Sequence, residues 1–106
     1  MPASVLLYCQ RVRYLAVTRS RAGAWDDSLE LDEQEGFVEH ASFMNALVAE
    51  GFVVLGGPLD DQASTLLIVD APNEEVARAR LAGDPWSAMG LLEVTAVVGW
   101  EILLGG

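Results

Sequence analysis

Residues 32–71 read DEQEGFVEHASFMNALVAEGFVVLGGPLDDQASTLLIVDA, and the succession of apolar periods in this stretch decides the fold. Phe37, Ala41, Met44 and Val48 recur at spacings of four, three and four, with Leu47 beside them, which is one apolar stripe of an α-helix. Asp32 followed three residues later by Glu35 has the spacing of a capping box, with aspartate in place of the commoner Ser or Thr, so the helix is expected to begin at Asp32. Gly51 is placed to close it in a left-handed C-terminal cap. FVVLGGPL, from Phe52 to Leu59, is then a strand that ends in a Gly-Gly-Pro break, and STLLIVDA, from Ser64 to Ala71, is a second one. Only residues 60–63 separate them, too few for a parallel crossover, so the pair is an antiparallel hairpin.

Upstream, RYLAVT (Arg13 to Thr18) is a β-rich apolar run with arginines on both sides, the pattern of a buried strand with solvated ends. The segment from Ser20 to Leu31 has Gly, paired Asp and Ser without a sustained period and reads as a loop. Downstream, Asn73 caps a second helix, NEEVARARLA, with Glu74 and Glu75 in its first turn, a stripe of Val76, Ala77 and Leu81, and a stop at Gly83 and Pro85. LLEVTAVVGWEILL is a last strand, with a bend expected at Gly99. The order β-α-β-β-α-β defines an α+β, ferredoxin-like domain: a four-stranded antiparallel sheet with two helices on one face.

FVVL, TLLIV and YLAV are nearly continuous apolar runs rather than alternations, and such strands expect cover on both faces. Two helices cover one face, so the other is expected to be packed against a second copy in a homodimer joined sheet to sheet. The chain has 106 residues, of which 52% are hydrophobic and 21% charged, enough for one domain held by its own core. A formal net charge of −10 disfavours nucleic acid and anionic membrane surfaces as partners. All six basic residues are arginine, four of them between positions 11 and 21. Cys9 is the only cysteine, which precludes an intrachain disulfide and fits a reducing cytoplasm. The apolar stretch Val5 to Tyr8 is too short for a signal peptide or a membrane span.

His40 is the only histidine and lies at the edge of the Phe37–Met44 stripe, which suits either a packed ring with backbone partners or an acid/base group. Asp84, in GDPW, reads first as a turn former. The end of helix two and the middle of helix one can nevertheless face the same sheet, where a carboxylate could orient His40 and stabilise its cation. Gly56, Gly57 and Pro58 lack the GK[ST] of a phosphate loop and are either a strand-ending kink or a pocket wall. Arg19 is either a solvated strand end or an attractor for an anionic ligand. Trp25, Trp86 and Trp100 read as core or interface, with Trp86 the best candidate for a ligand contact because it adjoins Asp84. Metal-ligand spacings, a nucleophile elbow and a dinucleotide fingerprint are absent, so no metal or cofactor is expected.

The segments WDDS, EQEGFVEHASFMNALVAEGFVVLGGPL and AGDPW followed by GLLEVTAVVGWEIL resemble the YCII-related family over about Arg13 to Leu104. The resemblance makes residues 12–106 the domain and residues 1–11 an N-terminal extension. It implies a dimeric ferredoxin-like subunit and an active site formed by a histidine and an aspartate, which map to His40 and Asp84. It places the family's GPL segment on Gly57, Pro58 and Leu59, its strand-one arginine on Arg19, and its aromatic after Asp-Pro on Trp86, here Trp instead of the commoner Phe. The resulting expectation is a cofactor-independent enzyme in which His40 moves a proton on a small organic substrate, cyclic or aromatic, in lyase or isomerase chemistry. The alternatives are a non-catalytic dimer that holds a small, anionic metabolite in the same cleft, and a purely structural dimer.

Overall fold

The computed structural model describes residues 12–105. The expected N-terminal extension, residues 1–11, and Cys9 within it lie outside the described residues. Four strands, β1 (Val12–Arg21), β2 (Val53–Pro58), β3 (Ser64–Val69) and β4 (Leu92–Ile102), form one antiparallel sheet in the order β2-β3-β1-β4. Helix α1 (Phe37–Ala49) joins β1 to β2, while α2 (Glu74–Ala82) and a short α3 (Pro85–Ala88) join β3 to β4. This is the ferredoxin-like α+β fold that the element order implied. Among the described residues no helix is long and apolar enough to cross a membrane.

Strand alternation sorts the sheet into two faces. Val17 lies opposite Leu67 and Val97, and Leu15 opposite Val69, and this set packs with Leu47, Phe52, Ala77 and Leu81 to make the main core. The next residues along each strand form a row across the other face: Leu55, Ile68, Ala16 and Val98 pair in sequence from β2 to β4. At its two ends Leu55 is 65% and Val98 61% exposed, and Trp100 lies exposed on the same face.

Helix α1 begins later than the Asp32 start read from the sequence. A single 3₁₀ turn at Leu31–Glu33 comes first, and the side chain of Glu33 reaches back to the amide of Glu30 at 2.8 Å, so the reciprocal capping pair falls two residues early. The buried amide of Gln34 then ties this turn to the preceding loop, donating to the carbonyls of Asp26 and Leu29 and accepting from the Asp26 amide. Gly36 follows at φ +76°, a left-handed conformation that no α-helix interior tolerates, so the helix can start only at Phe37. Helix α2 keeps the expected Asn73 cap, whose side chain accepts from the Val76 amide at 2.9 Å.

Three further expectations shift. β1 runs on through Arg19 to Arg21, beyond the Thr18 limit and into the segment read as loop. The chain after Gly83 is not merely a turn, because Pro85 occupies the first position of α3 with Asp84 as its cap. The irregularity of β4 lies at Thr95, where the pairing with β1 jumps from Ala96 to Val94, whereas the register runs unbroken through Gly99.

Candidate active site

Asp84 is where three elements meet. As the cap of α3 it holds extended backbone angles, and its Oδ1 accepts the amide of Trp86 at 2.9 Å. Gly83, just before it, sits so close to α1 that a Cβ there would lie 3.2 Å from the Phe43 ring, and this close approach brings Asp84 against α1. His40, on the sheet-facing edge of α1, then places Nδ1 at 2.9 and 2.8 Å from the two carboxylate oxygens. From the sheet, Arg19 donates Nη1 to Oδ2 at 2.8 Å. Residues 19, 40 and 84, remote in sequence, thus converge on one carboxylate.

Asp84 is wholly buried and Arg19 is 2% exposed, so the pair lies out of water. Burial pushes the Asp84 carboxyl up, but hydrogen bonds from His40, Arg19 and the Trp86 amide outweigh it and hold the group below the usual carboxylate range. An ionised carboxylate can only accept, which assigns the proton of neutral His40 to Nδ1 and leaves Nε2 with its lone pair. The imidazole is 14% exposed and lies flat on Trp86, with centroids 3.8 Å apart and planes 8° from parallel. Trp86 is locked in turn by its indole N–H, which donates to the Glu35 carbonyl at 2.7 Å, and by edge contact with Trp25 at 5.5 Å.

His40 forms part of the wall of a cavity of about 320 Å³, a size typical of small-molecule sites. Met44, Val53, Leu67 and Leu92 give it apolar walls, and Gly56, Gly57 and Pro58 close the β2 side. At Gly56 a Cβ would come within 2.6 Å of Leu67, so glycine there sets the close packing of that wall. Among the described residues no group of His, Cys, Asp and Glu side chains is arranged to hold a metal ion.

The sequence-derived residues therefore gather in one place: His40, Arg19, Gly57, Pro58 and Trp86 all border the cavity, with Asp84 behind the imidazole. The alternatives left open for two residues narrow. Arg19 is not a solvated strand end, since it is buried and bonded to Asp84. Trp86 is fully buried with one ring face occupied by His40. Sequence reasoning passed over Arg21 and Met44, both on the cavity wall. The signal for Arg21 was its two-residue offset from Arg19, which puts both on one face of a strand.

The fold is that of a ferredoxin-like α+β domain, with a buried carboxylate beside a histidine at an apolar cavity. The chain belongs to the YCII-related family, whose domain model matches residues 12–101. Among solved structures it is similar to 5-chloro-2-hydroxyhydroquinone dehydrochlorinase (TftG) from Burkholderia phenoliruptrix AC1100, determined in complex with 2,5-dihydroxybenzoquinone. The identity is 20%, the match covers 81% of this chain and 90% of that one, and the TM-score is 0.54. No curated protein matches.

Proposed function

We propose that the chain is a cofactor-independent enzyme in which His40 moves a proton on a small cyclic or aromatic organic molecule, in lyase or isomerase chemistry. The observation that carries this reading is the His40 Nδ1 contact with both oxygens of a buried Asp84, at 2.8 and 2.9 Å, on the wall of an apolar cavity. With Nδ1 committed, Nε2 is the nitrogen that takes a proton from one atom of the ligand and returns it to another. Asp84 fixes the tautomer and balances the imidazolium, Arg19 keeps Asp84 ionised, and Trp86 holds the ring in plane. The dehydrochlorinase that shares this fold acts on a hydroxylated ring, which supports a cyclic substrate here.

The probe is the compound bound by that neighbour. In 2,5-dihydroxybenzoquinone a ring carbon accepts a proton as a hydroxyl loses one, and reversal in heavy water replaces ring hydrogen by deuterium. The protein is expected to accelerate this exchange about 10²–10⁴-fold, as one positioned acid/base group does. His40→Asn should return it to the buffer rate, followed by loss of the ring proton signal in NMR. Exchange at the wild-type rate in His40→Asn, or no acceleration by the wild type, would overturn the reading.

We also infer a homodimer joined through the face on which Leu55, Val98 and Trp100 stand exposed, and a cytoplasmic location, which a single cysteine fits.

A further inference from the structure

The charge around the cavity is opposite to that of the chain. Sixteen acidic residues face six basic ones in the sequence, yet the ionisable side chains on the cavity wall are Arg19, Arg21 and His40, with no aspartate or glutamate among them. Asp84 lies behind the wall, wholly buried and shared between Arg19 and His40. A cavity that excludes carboxylates on so acidic a surface is built for an anion.

The two arginines are not equivalent. Arg19 is 2% exposed and its Nη1 is taken by Asp84, so its charge is already balanced. Arg21 is exposed, makes no salt bridge among the described residues, and lies with its guanidinium 4.5 Å over the ring of Trp25. Asp61, in the β2–β3 turn, feels its charge, but the two form no salt bridge, and Oδ1 of Asp61 accepts the amides of Ala63 and Ser64 at 2.9 Å each. Stacking on an aromatic face leaves the guanidinium edge, with its paired N–H groups, open to a carboxylate or enolate. Gln62, Ser64 and Thr65 add polar atoms to the cavity wall.

Distance selects the size of the ligand. Two residues along a strand advance about 7 Å, so an anion held at Arg21 leaves room for one ring before the Arg19–Asp84–His40 cluster. We propose that Arg21 is the specificity-determining residue of the cavity, and that the ligand is a small flat ring carrying a carboxylate or an ionised enol at the Arg21 end, with its reacting atom toward His40. This rests on the acid/base reading above and names the substrate class it requires.

Benzoate and benzamide, nearly identical in shape and different in charge, test it by calorimetry and thermal shift. Benzoate is expected to bind about tenfold more tightly than benzamide, the margin of one charge-assisted contact, and to weaken as salt is raised. Arg21→Gln should bring benzoate down to the benzamide level. Arg21→Lys should restore part of the preference, and His40→Asn should keep it whole. Equal binding of the two probes, failure of benzoate to bind at about 10 mM, or an undiminished preference in Arg21→Gln would each overturn the proposal. If Arg21 controls benzoate binding but His40→Asn exchanges ring protons at the wild-type rate, the acid/base reading fails and the anion site stands. If the preference for benzoate is missing while His40-dependent exchange is intact, the anion site fails and the acid/base reading stands.

Discussion

Asp84 receives donors from β1, α1 and α3 at once, which makes it a structural group as much as a chemical one. Replacing it with alanine strands the guanidinium of Arg19 in a site that is 2% exposed, and breaking a buried ion pair in this way costs about 3–5 kcal/mol. Urea unfolding of Asp84→Ala should show that loss. The native carboxyl pKa lies below its unfolded value, so between the two the unfolded chain binds more protons and stability rises with pH. The contribution is complete above the unfolded value of about 3.9 and disappears as pH falls through the native one. Melting temperature should therefore stay level on this account near neutrality and drop below about pH 4. Asp26 and Asp61 are also held low by hydrogen bonds in their turns and titrate in the same window. The Asp84→Ala variant should keep their share of the acid slope and lose that of Asp84; an unchanged slope would contradict the assignment.

At the scale of elements, the entry into α1 is fixed by Gly36. Its φ of +76° and the Met89 Sδ at 3.0 Å from where a Cβ would stand oppose any side chain there. Gly36→Ala should cost about 1–3 kcal/mol in urea unfolding, the range for a strained left-handed residue. It should also disturb the His40–Trp86 stack, because the neighbouring Glu35 carbonyl anchors the indole. The stripe of α1, the Asn73 cap of α2 and the hairpin of β2 with β3 were legible because local period and capping chemistry determine them. The start of α1 was not, since two acidic pairs, Glu30 with Glu33 and Asp32 with Glu35, carry the same capping spacing and the choice rests on Gln34 reaching back eight residues. α3 was equally hidden, because Asp-Pro signals a turn and a helix start alike. His40 and Asp84 could be named as a pair from the family resemblance, but the burial of Arg19 depends on which face of β1 meets the helices.

For the whole molecule, the helix-free face of the sheet is the decisive surface. Leu55 and Val98 stand exposed at the ends of an apolar row that crosses all four strands, with Ile68 and Ala16 between them. The proposed dimer, packed over this face, would cover the side of the apolar strands that the helices leave open. Sedimentation equilibrium at micromolar concentration should give twice the chain mass, and Val98→Asp should give a monomer with the His40–Asp84 geometry intact. A wild-type monomer would refute the assembly.

Because one carboxylate caps α3, neutralises a buried guanidinium and holds the imidazole, Asp84 and His40 carry unequal evolutionary risk. A descendant that abandons the proposed catalysis can lose the ring of His40 and still keep Arg19 and the Trp86 amide on the carboxylate. The aspartate cannot be surrendered so cheaply, so lineages turned to mere ligand carriage should keep the acid long after the base has drifted away.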